Sequence, residues 1–154
     1  MPLSAETSVE QSDAEGNIRC LENLQMQGSE VFNFSIEVVP REIEALLAEA
    51  NCSIDSVNFF VLHQANRYIV HSIGKRLKVD LKRFPIASFG AFGNVSSASI
   101  PGALAYELRE CLLGAERQRL LLSGFGVGLS WASCLLDIED MQSLGWELYS
   151  GGGD

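Results

Sequence analysis

Apolar positions in the first half of the chain alternate between helical and strand spacing. In residues 29–50 they recur every three or four positions, which predicts a helix, and Pro40 within it predicts a kink or a break between two helical pieces. Residues 57–63, VNFFVLH, are almost continuously apolar, so we expect a strand that is buried on both faces. The spacing then predicts a helix over residues 64–77.

The second half of the chain continues this alternation. Residues 84–89, FPIASF, indicate a short strand, and residues 97–114 indicate one helix that ends at Gly114. Two further strands, over 119–126 and 129–138, are separated by a glycine turn. The predicted fold class is therefore α/β, with a mixed sheet of about four to five strands covered by helices.

Composition and the polar termini divide the chain. With 154 residues and 47% hydrophobic content, it can bury one core of ordinary size. Residues 1–23 are rich in Ser, Glu and Asp and are predicted to be a flexible arm or the remains of a loop. We expect the ordered domain to cover residues 24–138, and residues 139–154 to form a loose tail.

Charge is distributed unevenly along this acidic chain. The formal net charge of −9 argues against a nucleic-acid partner. Nevertheless, 17 consecutive residues contain a single acid, Asp80, and six bases: Arg67, Lys75, Arg76, Lys78, Lys82 and Arg83. In the predicted helix, Arg67, His71, Lys75 and Lys78 share one stripe, opposite the apolar Ile69, Ile73 and Leu77. The sequence therefore predicts a basic helix face on an acidic protein.

Cysteine usage and the absence of apolar segments of membrane length set the expected compartment. The four cysteines are scattered, with no CxxC pair and no histidine at metal spacing, so we expect reduced thiols and no metal site. The first residues have neither a basic nor an apolar signal region, and no apolar run is long and continuous enough to span a membrane. A cytoplasmic protein is the resulting expectation.

Three short segments carry candidate chemistry. His63 stands where the buried strand meets the following helix, a position where α/β sheets often gather their sites, although the residue taken alone is more often a hydrogen-bonded packing histidine. Asn94, in GNVSSAS, is placed to present a carboxamide from a tight turn or to bond its own backbone. The glycines of GFGVGLSW, residues 124–131, allow close approach of a ligand or form a hairpin turn.

Taken in order, these segments resemble one family. HQAN, FGNVSSASIP and GFGVGLSW, preceded by MQGSEVF at residues 26–32, look like the C-terminal half of a type III β-ketoacyl-acyl carrier protein synthase of the thiolase superfamily. The resemblance covers residues 24–138 and implies half of a thiolase-like fold. It also implies a decarboxylative Claisen condensation of malonyl-acyl carrier protein with an acyl thioester, in fatty acid or polyketide synthesis.

The resemblance implies roles for particular residues at the reacting centre. His63 and Asn94 match the histidine and asparagine that bind the malonyl thioester carbonyl. Two fixed donors stabilise the negative charge that decarboxylation places on that oxygen. The backbone of Val127 falls where the family has its oxyanion-hole glycine.

Other positions match the substrate channel and the docking helix. Gly28, Phe32 and Asn66 match residues that line the pantetheine channel. Lys75 and Arg76 match basic positions that contact the carrier protein or coenzyme A, and Arg67 lies one residue before the family's arginine. The implied substrates are coenzyme A or phosphopantetheine thioesters, with no tightly bound cofactor.

The resemblance leaves out the family's nucleophilic cysteine, which belongs to the N-terminal half. None of Cys20, Cys52, Cys111 and Cys134 resembles an activated thiol at the start of a helix. We therefore expect the chain to be inactive alone, as an excised domain or one product of a split gene, and to form a homodimer. Two alternatives stay open: an acyltransferase that passes the acyl group to oxygen or nitrogen, and a non-catalytic subunit of a heterodimeric synthase.

Overall fold

A computed structural model describes residues 3–23, 26–126 and 128–142. The chain divides into two compact units, Met1–Val31 and Phe32–Asp154. Within the described part of the chain, no helix is long and apolar enough to cross a membrane.

The first unit contains a small antiparallel hairpin. Strand β1 (Gln11–Ser12) pairs with β2 (Ile18–Arg19). The Asp13 carboxylate accepts hydrogen bonds from the backbone N–H groups of Glu15 (2.9 Å) and Asn17 (2.8 Å), and Gly16 has the positive φ of 84° that the turn requires. Hydrogen bonds from Asn17 hold the pKa of Asp13 below its usual value. The polar arm predicted over 1–23 thus includes local structure.

The second unit is built around a mixed three-stranded sheet in the order β3-β4-β5. Strand β3 (Phe59–Leu62) runs parallel to β4 (Gln118–Gly126), with Phe59 opposite Leu120, and β4 is antiparallel to β5 (Ser130–Ile138). Five strands are therefore described in two separate sheets. The α/β class is confirmed, as are the strands predicted around residues 57–63, 119–126 and 129–138.

Five α-helices are described, and four of them lie in the crossover between β3 and β4. They are α1 (Gly28–Glu49), α2 (Arg67–Arg76), α3 (Ala87–Phe92), α4 (Ser99–Tyr106) and α5 (Arg109–Leu112). Short 3-10 helices cover Ile54–Ser56, Leu81–Arg83 and Ser96–Ala98. A parallel strand pair requires such a crossover, because the chain has to return to the same end of the sheet.

Strand β3 is buried from both sides, as its continuous apolar sequence predicts. Phe60 and Leu62 join a core with Val39 and Ile43 of α1 and Ile73 of α2. The intervening residue points to the other face, where Val61 packs in a second core with Ala103, Leu108, Leu112, Leu120 and Ile138. Phe60, Val61 and Leu62 have no exposed surface. Helices therefore cover both faces of this strand.

Helix α1 is continuous through Pro40, so the prediction of a possible break into two helices at this proline is wrong. Pro40 is buried together with Val39 and Ile43. A proline inside a helix removes one backbone hydrogen bond. Burial of the apolar face around it offsets this loss, because tertiary packing outweighs local propensity.

The strand predicted over residues 84–89 is also wrong. The chain there leaves the 3-10 helix Leu81–Arg83 and enters α3 at Ala87. Phe84 is buried and stacks on Phe60, with 5.1 Å between the ring centroids. It also packs so closely on α2 that a Cβ built at Gly74 would lie 3.0 Å from its ring. The apolar residues of this segment thus fill the core without joining the sheet.

A distant carboxylate explains why residues 87–92 form a helix. The Glu107 side chain accepts hydrogen bonds from the N–H groups of Ile86 (3.1 Å), Ala87 (2.7 Å) and Ser88 (3.3 Å). These are donors that the first turn of a helix leaves without intrahelical partners, and a negative charge is favourable there. The cap comes from a residue about twenty positions away, so the local sequence pattern does not contain it.

Two helix boundaries also differ from the sequence predictions. The single helix predicted over 97–114 is divided into α4 and α5, with Glu107 and the buried Leu108 between them. Helix α2 begins at Arg67, three residues later than predicted, because Asn66 caps it: its Oδ1 accepts from the Ile69 N–H at 2.8 Å. In the predicted tail, the Asp140 N–H donates to the Ala115 carbonyl at 3.2 Å, and residues 143–154 lie outside the described residues.

Replacing Glu107 with alanine should destabilise the fold. The substitution leaves three N–H groups at the start of α3 without their carboxylate, and loss of an N-terminal cap costs about 1–2 kcal/mol. Urea unfolding followed by circular dichroism would measure this loss. Glu116→Ala, at an exposed glutamate, is the matched control. Equal midpoints for the two variants would contradict the capping role.

Candidate functional site

His63 lies immediately after β3, at its carboxyl end. Its backbone N–H donates to the Ser123 carbonyl of β4 at 2.8 Å, so the parallel pairing continues through this residue. The preceding three residues are fully buried and fix the direction of the strand. The backbone of His63 is thus held by the most buried part of the sheet, at the edge where α/β folds gather functional groups.

Two side chains define the surroundings of the His63 imidazole. Its Nδ1 lies 2.8 Å from the Ser99 hydroxyl oxygen, and its ring meets the Phe125 ring edge to face, with centroids 5.6 Å apart and an interplanar angle of 88°. The side chain is half-buried, and this burial lowers the pKa of His63 below its usual value. The imidazole is therefore neutral at neutral pH, with one donor nitrogen and one acceptor nitrogen.

Asn94 lies in the turn that follows α3. Gly93 ends the helix with a φ of 70°, and the Asn94 side-chain oxygen accepts a hydrogen bond from the Ser96 N–H at 3.0 Å. The backbone-bonding interpretation of this residue is thus what the structure shows. The hydrogen bond from Ser96 occupies the oxygen of the carboxamide and leaves the two N–H groups of the exposed Asn94 side chain for another acceptor. Asn94 can therefore bond its own backbone through the oxygen and present its amide N–H groups at the same time.

The structure brings His63 and the GNVSSAS segment together. Ser99, which bonds the imidazole, is the first residue of α4 and follows Asn94 by five positions. The 3-10 helix Ser96–Ala98 connects the Asn94 turn to Ser99. Residues separated by about thirty positions in sequence therefore form one local arrangement around the imidazole.

Gln64 joins the end of β3 to the segment that precedes α3. Its side chain is 1% exposed, and its amide nitrogen donates to the Leu62 carbonyl at 2.8 Å and to the Pro85 carbonyl at 3.1 Å. Within the described residues its Oε1 has no hydrogen-bond partner. The amide satisfies two buried carbonyls and ties the end of β3 to the segment that leads into α3.

Sequence reasoning missed Ser99, Gln64 and Phe125. Gln64 carries a visible signal, because a polar residue between a continuous apolar strand and a helix cap has to satisfy buried backbone groups. Phe125 lies within the glycine-rich segment GFGVGLSW, so its aromatic side chain among glycines was available as a signal. Ser99 carried no signal beyond its place in a serine-rich segment.

The basic face predicted on α2 is present in part. Arg67, Lys75 and Arg76 are exposed, whereas Ile69, Val70 and Ile73 of the opposite face are buried. Helix α2 ends at Arg76, so Lys78 lies beyond it and does not extend the helical stripe. His71 is partly buried.

The residues matched to the pantetheine channel have different local settings. Phe32 stacks on Tyr68, with centroids 5.4 Å apart and an interplanar angle of 18°, and Asn66 serves as the cap of α2. Gly28 is the first residue of α1 and belongs to the other unit. Val127, the predicted oxyanion position, lies outside the described residues, and Gly126 before it ends β4.

The four cysteines are free thiols. Cys111 lies in α5 and Cys134 in β5, both exposed, while the Cys52 sulfur lies 3.2 Å from the Arg119 guanidinium. Arg119 is itself bound by Asp137 through two hydrogen bonds, and the Arg119 and Arg117 bonds hold the pKa of Asp137 far below its usual value. Across the described ranges, no group of three or more His, Cys, Asp or Glu side chains is arranged to hold a metal ion.

Comparison with known proteins assigns this arrangement to a family. Residues 47–138 match the family model for the C-terminal part of 3-oxoacyl-[acyl-carrier-protein] synthase III. The β-ketoacyl-[acyl-carrier-protein] synthase III of Lactococcus lactis is 35% identical over 117 residues, which are 75% of this chain and 36% of that protein.

Solved structures agree with the sequence matches. A crystal structure of a 3-oxoacyl-(acyl-carrier-protein) synthase III superposes with a TM-score of 0.78 and 41% identity, over 88% of this chain and 40% of that one. The synthase from Burkholderia xenovorans gives a TM-score of 0.77 at 35% identity, over 82% of this chain and 36% of that one. The chain thus spans well under half the length of these relatives and has the thiolase-like fold of their C-terminal part. The chain belongs to the 3-oxoacyl-[acyl-carrier-protein] synthase III C-terminal family.

Proposed function

We propose that this chain forms the C-terminal catalytic part of a β-ketoacyl-acyl carrier protein synthase III, in which His63 and Asn94 drive decarboxylation of a malonyl thioester. The observation that carries the proposal is the position of His63 at the end of β3, where its Nδ1 lies 2.8 Å from the hydroxyl of Ser99, in the segment that also contains Asn94. The names of the matched relatives supply the reaction class.

The chemistry follows from two donors that converge on one oxygen. When the bond between the malonyl carboxylate and the α-carbon breaks, CO₂ leaves and the electron pair moves onto the thioester oxygen as an enolate. One N–H of His63 and one of Asn94 stabilise that oxyanion, which is the dominant contribution in such sites. The enolate carbon then attacks an acyl thioester carbonyl, and the thiolate that carried the acyl group departs. His63 needs no proton transfer in this role.

The nucleophilic cysteine of the proposal comes from an N-terminal part of the synthase, outside the residues of this chain. The substrates are coenzyme A or phosphopantetheine thioesters, with no tightly bound cofactor. In this role Phe32 and Asn66 contact the pantetheine arm, and Gly28 and the Val127 backbone keep the roles that the resemblance implies for them.

The basic face of α2 serves as the docking surface for an acidic acyl carrier protein or for the phosphates of coenzyme A. Arg67, Lys75 and Arg76 are all exposed on one helix, whose opposite face is anchored in the core. On a protein with a formal net charge of −9, such a cluster attracts an anionic partner that the remaining surface repels.

Removal of either donor should abolish most of the decarboxylation. In the complete enzyme, His63→Ala or Asn94→Ala should each lower kcat for CO₂ release from radiolabelled malonyl-carrier protein about 10²- to 10³-fold, as expected for loss of one oxyanion donor. Acyl transfer to the enzyme's cysteine should change much less. Asn33→Ala, which removes an exposed amide from α1, is the control.

The same assay separates the alternatives. Full activity in both alanine variants would mean that this chain is a non-catalytic subunit. Acyl transfer to an oxygen or nitrogen acceptor without CO₂ release, lost in His63→Ala, would mean that the protein is an acyltransferase with His63 as general base.

Charge reversal on the docking surface should weaken carrier-protein binding. Lys75→Glu and Arg76→Glu should each raise KM for acyl carrier protein about fivefold at low salt, because each replaces an attraction with a repulsion. The salt dependence of KM should become flatter. Arg41→Glu, an equal charge change at an exposed position of α1, is the matched control. Unchanged KM values would show that this face is merely solvated.

Strand β5 has one face that is exposed to solvent. Ala132, Cys134 and Leu136 alternate along the strand and are all exposed, whereas Leu135 on the opposite face packs against the main core. We propose that this face packs against the N-terminal part of the synthase or a second copy.

The isolated chain should therefore self-associate. Light scattering should show an average mass that rises with concentration, and Leu136→Asp should reduce this association, because it places a charge on the uncovered face. Leu3→Asp, at an exposed leucine of the first unit, should leave the association unchanged. A monodisperse monomer at every concentration would contradict the expectation.

A further inference from the structure

The hydroxyl of Ser99 has one partner in the described structure. Ser99 is 2% exposed, and its Oγ lies 2.8 Å from Nδ1 of His63. Among the described residues, no other polar atom is recorded within hydrogen-bond reach of that oxygen. Solvent has little access to a group that is buried to this extent, so the proton of the hydroxyl needs a protein acceptor.

Two placements of the proton are compatible with a distance of 2.8 Å. In one, the hydroxyl donates to an unprotonated Nδ1, and the imidazole proton is on Nε2. In the other, Nδ1–H donates to the hydroxyl oxygen, and the serine proton is left without an acceptor. The first placement satisfies both groups and the second leaves a buried donor unsatisfied, so the first is favoured.

The backbone holds this hydroxyl in place. The Ser99 N–H donates to the Ser96 carbonyl at the junction between the 3-10 helix Ser96–Ala98 and α4. On the other side of the contact, the N–H of His63 is bonded to Ser123 of β4. Both partners are thus fixed by secondary structure, and the hydrogen bond does not depend on a mobile loop.

We propose that Ser99 is a positioning residue that sets the tautomer of His63: its hydroxyl donates to Nδ1, so that Nε2 carries the proton. Nε2–H is then the donor that faces the substrate. The catalytic consequence rests on the proposed function, because only there does His63 act as a donor to a thioester oxygen. The tautomer itself is a property of this chain and is measurable without substrate.

Nitrogen-15 NMR of the imidazole rings tests the tautomer directly. The chain has two histidines, His63 and His71, so both rings are assignable, and His71 serves as an internal reference. In the full chain at about pH 8, well above the ordinary pKa of histidine, we expect a protonated Nε2 and an unprotonated Nδ1 for His63. A protonated Nδ1 in the wild-type chain would overturn the proposal, whatever the variants do.

Variants then test whether Ser99 is the cause. Ser99→Ala should shift the Nδ1 resonance of His63 toward that of an imidazole nitrogen without a hydrogen bond, while the His71 resonances stay in place. Ser99→Thr, which keeps a hydroxyl, should restore the wild-type shift. Ser97→Ala, which removes an exposed hydroxyl two residues away, is the control. Unchanged His63 resonances in Ser99→Ala would overturn the proposal.

Kinetics of the complete enzyme test the consequence. Ser99→Ala should lower kcat for CO₂ release about tenfold, as expected for loss of a single orienting hydrogen bond, with KM unchanged and with rescue by Ser99→Thr. A wild-type kcat in Ser99→Ala would overturn the positioning role. If His63→Ala were itself fully active, the proposed function would fail, while the NMR result would still decide the tautomer.

Discussion

Burial of β3 on both faces is the constraint from which the rest of the structure follows. A strand that is covered on both sides has to send alternate side chains into two separate cores, and Phe60 and Val61 do so. Its parallel partner β4 is more than fifty residues away, so the chain needs a helical crossover between them. Partway along this crossover, the chain passes the carboxyl end of β3, where Ser99, the first residue of α4, bonds His63.

Polar side chains, and not apolar packing alone, position the site within this frame. Gln64 bonds the Leu62 carbonyl at the end of β3 and the Pro85 carbonyl within the crossover, and Glu107 holds the first turn of α3, which leads into the Asn94 turn. Each of these side chains satisfies several backbone groups at once, so each fixes the position of a segment as well as its conformation. The site thus depends on groups that do not contact the substrate in the proposed reaction.

The sequence predicted most reliably where local pattern and tertiary burial agree. The apolar run of β3, the two final strands and the amphipathic α2 all follow from spacing, because their environments repeat along the element. The strand prediction for residues 84–89 failed because local pattern and tertiary environment differ there. The apolar residues of this segment fill the core, while the distant carboxylate of Glu107 caps a helix. Likewise, His63 and Asn94 were identified through their motifs, whereas Ser99 depends on a contact across 36 positions that no local pattern encodes.

The hydrogen-bond partner of the His63 imidazole indicates whether the ring is better suited to act as a donor or as a general base. A histidine that works as a general base is commonly oriented by a carboxylate, which stabilises the imidazolium and raises the pKa. Here the partner is a neutral hydroxyl, the ring packs edge to face on Phe125, and burial lowers the pKa. Burial disfavours the charged ring, and a neutral hydroxyl does not stabilise it as a carboxylate would, so a neutral N–H donor is favoured. A donor of fixed tautomer suits the stabilisation of an enolate oxygen better than the removal of a proton, which is why the arrangement supports decarboxylative condensation over acyl transfer by a histidine base.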